Sequence, residues 1–203
     1  MMQNRVDPFG HIIKTEARGS LMGNRGVLHN DKQEILRLFK LKAWLACKLE
    51  FNDRKRQIMA PNRYTELFFL DEATSFAAGH RPCFECRRAD YLKFKSHWIK
   101  GNPKYHYTEK VAIQKIDNII HKERLSHNGS KITYEESPDK LPDGTFVLFE
   151  NNPYLLAGSL IHSWSPWGYS TGNRLPVIDK ISVLTPRSIV NAFIAGYVPH
   201  MVV

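Results

Sequence analysis

Apolar and polar positions alternate from Leu45 onward. Leu45, Cys47, Leu49 and Phe51 share one face, which predicts a strand. Asn52-Asp53 can turn the chain, and Arg54 to Met59 reads as a returning strand. Tyr64 to Leu70 is almost wholly apolar and aromatic, the mark of a core segment. Asp71 then has the form of a helix N-cap ahead of Glu72–Ala78, with Gly79 as the stop. A second helix is predicted from about Cys86 to Lys100, with Tyr91, Phe94, Lys95 and Trp98 along one side and Gly101-Asn102-Pro103 ending it. Between Thr108 and Leu125 the spacing of Ala112, Ile116, Ile119, Ile120 and Glu123 predicts a third helix, with Lys110, Lys115, Lys122 and Arg124 on its polar side.

The ends of the chain are patterned differently. Residues 1 to 30 are rich in turn residues, including Asp7-Pro8, Gly10, Gly19, Gly23 and Gly26. After residue 126 the pattern is that of short strands: Lys131–Tyr134, Thr145–Glu150, Tyr154–Ala157, Leu160–Trp164 and Ile181–Leu184. The aromatic loop Ser165–Tyr169 lies among them, and an Asn-Asn-Pro turn joins the second and third. Thr185-Pro186 opens a last helix, Arg187–Ala195, and Gly196 stops it. The expected fold is α+β: a knuckle-bearing lobe with helices over residues 1–125, and a small antiparallel β-rich lobe over 126–203 closed by the C-terminal helix.

Composition adds bounds. The chain has 203 residues, 42% hydrophobic and 24% charged, enough apolar material for a core. No apolar run is long enough to cross a membrane, and the N-terminus lacks the apolar segment of an export signal, so the expectation is a cytoplasmic protein without membrane contact. The 29 basic and 20 acidic residues leave a net charge of +9, which suits a polyanionic partner such as DNA or another nucleic acid. Three cysteines, Cys47, Cys83 and Cys86, are too few for a disulfide framework.

Two of those cysteines stand in Gly79-His80-Arg81-Pro82-Cys83-Phe84-Glu85-Cys86-Arg87-Arg88. The Cys-x-x-Cys spacing turns both sulfurs toward one ion, and a thiolate pair of this kind usually holds zinc. A redox pair would sit in a βαβ pattern, and none precedes it. Further upstream, Met22-Gly23-Asn24-Arg25-Gly26-Val27-Leu28-His29 is a loop in which Arg25 could grip a phosphate or carboxylate, or simply join a structural ion pair. It lacks the Gly-Lys-Ser/Thr ending of a phosphate-binding P-loop.

The stretch from Asp71-Glu72-Ala73 through Ala77-Ala78-Gly79-His80-Arg81-Pro82-Cys83-Phe84-Glu85-Cys86-Arg87 resembles the N-terminal zinc-binding domain of the Ada-type DNA methylation-repair proteins. The same short pattern recurs in small zinc modules attached to bacterial nucleases, and the whole chain looks like a bacterial family of similar length. The resemblance implies zinc on Cys83 and Cys86, with two more cysteines upstream, one of which accepts a methyl group from a DNA phosphotriester. Cys47 is the candidate for an upstream position. Its partner four residues on would be Phe51, which cannot bind a metal. His80 and His29 are therefore candidates for the fourth ligand, with Glu50 a weaker one.

The expected function is that of a zinc-binding protein acting on or near nucleic acid, with Arg81, Arg87 and Arg88 as phosphate contacts. A second reading is a zinc-dependent enzyme: either Cys47 as a thiolate alkyl acceptor, or a phosphodiester hydrolase with His29 as base and Arg25 as clamp. A third is a purely structural zinc. The cluster His162, Trp164, Trp167 and Tyr169 fits either base stacking or packing between lobes.

Overall fold

Six short strands build the first sheet of the computed structural model, which describes residues 1–53 and 57–203. They are β1 (Gln3–Val6), β2 (Ile12–Lys14), β3 (Leu21–Asn24), β4 (Leu45–Cys47), β5 (Leu67–Phe69) and β6 (Arg81–Pro82), in the order β2-β1-β5-β3-β4-β6. The turn-rich N-terminal thirty residues thus contribute three strands, each too short to show alternation in the sequence. β1 lies parallel to β5 and β4 lies parallel to β6; the other neighbours are antiparallel. Of the strand expected over Arg54–Met59, residues 54–56 lie outside the described part, and the remaining three form no strand.

Helices follow the sheet. α1 (Glu72–Ala77) is buried on every side, which its small residues Ala73, Thr74, Ser75 and Ala77 permit. Its N-cap is Asp71, whose carboxylate accepts from Thr74 N at 2.8 Å. α2 (Arg88–Gly101) starts two residues later than the sequence suggests, and α3 (Ile113–Arg124) five residues later, because Thr108–Val111 forms a turn. α4 (Arg187–Ile194) lies against α2 and α3. Phe76, Phe94, Trp98, Ile116, Ile120, Ile189, Phe193 and Tyr197 make the helical core.

The second sheet, all antiparallel, runs β11-β10-β9-β8-β12-β7. Its strands are β7 (Tyr134–Glu136), β8 (Phe146–Phe149), β9 (Asn152–Ala157), β10 (Leu160–Ser165), β11 (Gly168–Tyr169) and β12 (Ile181–Val183). The β8/β9 hairpin is the one expected from composition. β7 is displaced from the expected Lys131–Tyr134, and part of the aromatic loop is the edge strand β11. Ala73 and Ala77 of α1 pack against Phe146, Leu155 and Leu184, so α1 joins both sheets. The architecture is mixed α+β, with two mostly antiparallel sheets and four helices.

The terminal helix is capped differently from expectation. Thr185 is not the cap: its hydroxyl accepts from Phe146 N at 2.9 Å, fastening β8. Pro186 occupies the cap position, and Glu123 of α3 supplies the missing acceptor, taking Ser188 N at 2.9 Å. Beyond closing the second sheet, where Val190 meets Val147, Ile181 and Val183, α4 is a member of the helical core.

Candidate metal centre

The parallel pairing of β4 with β6 brings Cys47 to the knuckle. Leu45 faces Arg81 and Ala46 faces Pro82 across that ladder, and Cys83 N donates to Ala46 O at 2.9 Å. The next residue on each strand is a cysteine. The knuckle closes with Arg87 N on Cys83 O at 3.1 Å, and Lys48 N points at Cys86 Sγ at 3.4 Å. As a result the sulfurs of Cys47, Cys83 and Cys86 all lie within 4.8 Å of one another. All three are free thiols with 7–9% of their surface exposed. Met22 completes their buried cluster, and Leu45, Phe51, Tyr64 and Phe68 pack around it.

The donor set fits a thiophilic metal. Zinc–sulfur bonds of about 2.3 Å put tetrahedral sulfurs a little under about 4 Å apart, so this spacing needs only a small contraction. Electrostatics point the same way. A hydrogen bond from Cys47, aided by the amides of Cys86 and Glu85 and against the effect of burial, pulls the Cys83 thiol down to about 5. Cys86 is lowered too, first by its hydrogen bond with Cys47, and Cys47 is pushed up as the donor to both. Three sulfurs crowded together are thus sharing protons, a role a divalent cation takes over when it binds.

No histidine or carboxylate joins the three sulfurs among the described residues. His80 is fully buried, but its Nε2 accepts from Arg25 Nε at 3.1 Å, and its ring packs against Trp44 and Phe69. Burial and the neighbouring Arg25 hold it well below its usual range, hence neutral. His29 spends both ring nitrogens elsewhere, on Thr65 Oγ1 at 2.6 Å and Ala60 O at 3.3 Å. Glu50 is exposed. The structure thus brings neither histidine to the sulfurs: both hold loops.

The same applies to His29 as base and Arg25 as clamp beside the metal. Arg25 is fully buried and turns to His80, Gly10 and Leu38, away from the sulfurs. Two of the three arginines expected on phosphates are also buried in ion pairs. Arg81 grips Asp117 of α3 through two bonds of 2.7 and 2.8 Å. Arg87 binds Glu72 at 2.5 Å and Asp90 at 2.8 Å. These pairs fasten the two ends of the knuckle to α3 and α1. Arg88 alone is exposed, stacked 4.5 Å above the ring of Phe84, itself 52% exposed.

The aromatic cluster divides. Tyr169 gives its hydroxyl to Asp71 at 2.8 Å, and Trp164 packs against the same core, which joins the second sheet to α1. His162 Nδ1 donates to Ser170 O, and Trp167 is exposed. Sequence reasoning missed Glu72, which takes Arg87, Tyr197 Oη at 2.9 Å and His200 N at 2.9 Å. An acidic residue one place beyond an N-cap reads as a dipole partner, and nothing in the sequence marks it as an anchor for the C-terminal tail. Arg124, expected on the polar side of α3, is 1% exposed.

No helix among the described residues is long and apolar enough to cross a membrane. Comparison with protein-family models, with curated proteins and with solved structures gave no match.

Proposed function

We propose that this is a zinc-binding protein that acts on or next to nucleic acid, with Cys47, Cys83 and Cys86 as its metal ligands. The observation that carries the metal is the convergence of three buried free thiols from two separated segments to within 4.8 Å. Zinc is favoured because the donors are all sulfur and the segment joining two of them is a short knuckle. The metal, when bound, keeps the thiolates deprotonated and supplies Lewis acidity at one face of the cluster.

The nucleic-acid part rests on charge and surface. The chain carries +9, and Lys110, Lys115 and Lys122 are exposed along α3 and its approach. Phe84 and Arg88, at the outer edge of the knuckle, present an exposed ring and guanidinium of the kind that stacks on bases. The test is binding to a single-stranded and a duplex oligonucleotide over a salt series. The expected affinity falls steeply with salt, and Phe84→Ala with Arg88→Ala weakens it. Absence of binding at low salt removes this part and leaves the metal centre standing.

One observation favours an enzymatic role. The chain has three cysteines only, and no fourth protein donor lies with them among the described residues, so one coordination position falls to an outside ligand. Catalytic zinc sites have that composition, whereas structural sites are closed by four protein ligands. Cys47, on the strand side of the cluster, is the candidate alkyl acceptor. A mass gain on Cys47 after incubation with methylated DNA supports that reading, and an unchanged mass rejects it.

A further inference from the structure

Away from the sulfurs, two buried basic side chains and a half-buried one stand close together. The guanidinium carbons of Arg25 and Arg124 stand 3.7 and 3.6 Å from the ring of Trp44. Arg25 is 0% and Arg124 1% exposed. Lys131 is half-buried beside them, its ammonium donating to Ala77 O. None of the three makes an ion pair with a carboxylate among the described residues. Their partners are carbonyls and neutral rings: Gly10 O and His80 for Arg25, and Gly79 O, Lys42 O and His121 for Arg124. Arg81 and Arg87, also buried, each have a carboxylate in contact. A guanidinium does not shed its proton, so the charge of Arg25 and Arg124 must be met by something else.

Asp7 is the acid that acts on both Arg25 and Lys131, and its carboxylate accepts from His11 N at 2.8 Å and meets His11 Nδ1 at 3.2 Å; Asp117, which acts on Arg124, is already paired with Arg81. Arg25 and Arg124, joined by Lys131 when it is protonated, outnumber the Asp7 carboxylate and leave positive charge in surplus. Beside them is a small cavity of about 20 Å³, partly open to solvent, lined by Phe9, Gly10, Arg25, Leu38, Trp44 and Lys131, with His11 at its wall. Arg25 Nη2 faces this cavity buried and without a hydrogen-bond partner. Gly10, at φ +91°, has no side chain to fill the approach: a Cβ there would stand 3.8 Å from that nitrogen. A buried, unpartnered guanidinium nitrogen and a half-buried ammonium on the wall of one cavity form a built anion receptor.

We propose that this cavity binds a phosphate group, through Arg25 Nη2 and the Lys131 ammonium, with Arg124 supporting it across Trp44. A dianion suits this surplus better than a single carboxylate does. Burial and the two arginines lower Lys131 to about 7, and a bound anion reverses that. The site is independent of the metal reading, since none of its residues touches the sulfurs.

The test uses the full chain as purified, with inorganic phosphate titrated against acetate at equal ionic strength, followed by calorimetry and thermal unfolding. A parallel arm compares an oligonucleotide bearing a 5′-phosphate with the same oligonucleotide lacking it. Phosphate is expected to bind and raise the melting temperature while acetate does not, and Lys131→Met is expected to weaken binding at least tenfold with unchanged zinc content. Arg25→Lys should weaken it as well. Should Arg25→Lys fail to fold, Lys131→Met, which leaves the Trp44 stack untouched, decides alone. A response to inorganic phosphate identifies the free ion as a ligand; a response only to the 5′-phosphate identifies a nucleic-acid end. No response to either, or wild-type binding by Lys131→Met, overturns the proposal.

Discussion

Cys83 N donates to Ala46 O at 2.9 Å, across two strands that lie parallel. This bond sets the register in which Cys47, the residue after Ala46, meets Cys83 and Cys86. The backbone thus delivers the third sulfur, and the metal needs to order rather little. Thiol titration follows directly. After chelation all three cysteines should react with a thiol reagent, whereas in the zinc-loaded protein the same reagent should react far more slowly. Equal reactivity in both states would argue against a metal on these sulfurs.

Arg81 and Asp117 tie the knuckle to α3 from within the protein, at 5% and 6% side-chain exposure. Removing one partner strands a buried charge. Arg81→Ala or Asp117→Ala is expected to cost about 3–5 kcal/mol in urea unfolding. The double variant Arg81→Met with Asp117→Leu should recover much of that loss, because neither charge is then left alone. If each single variant costs under about 1 kcal/mol, the pair is not an anchor.

α2 and α4 touch backbone to backbone at Gly101. A Cβ at that position would come within 2.1 Å of Asn191 O. Gly101→Ala therefore forces the two helices apart, at about 3 kcal/mol, the upper part of the range for overpacking. Gly158→Ala is the control: its φ of +57° strains an alanine by about 1–2 kcal/mol, but nothing lies within 4 Å. Chemical denaturation should separate the two. Equal losses would mean that the helices can yield.

Lys131 gives stability a pH dependence of known sign. Its folded value, about 7, lies below the ordinary 10.5 because burial disfavours the ammonium; Arg124 and Arg25 add to this, and Asp7 opposes them. Between those values the unfolded chain binds more protons than the folded one. The penalty is complete below about pH 7 and is relieved as pH rises toward 10.5, with a slope of at most about 1.4 kcal/mol per pH unit. In phosphate-free buffer, the stability of wild type relative to Lys131→Met should increase from pH 7 to 10. A flat difference would show that Lys131 is not desolvated.

The sequence makes local features legible and leaves distant pairings hidden. Asp71 as a cap, the β8/β9 hairpin and the Cys83/Cys86 knuckle depend on neighbours a few residues away, and each can be read in the chain. Cys47 is harder: its place follows from a two-residue parallel strand, β6, with no periodicity of its own. The buried bases are harder still. Arg81, Arg87, Arg124 and Lys131 look like solvent-facing charges because those residue types ordinarily are. What buries them is Asp117, Glu72, the Trp44 ring and Ala77 O, all contributed from 15 or more positions away. His29 and His80 were reasonable ligands by type, and only the positions of Thr65, Ala60 and Arg25 show what they hold instead.

The most direct measurement of the central claim is X-ray absorption at the zinc edge of the purified protein, with metal content determined on the same sample. One zinc per chain is expected, surrounded by three sulfurs at about 2.3 Å and one lighter atom, falling to two sulfurs in Cys47→Ser. Protein that carries no zinc, or a zinc whose sulfur count is unchanged by Cys47→Ser, would contradict it.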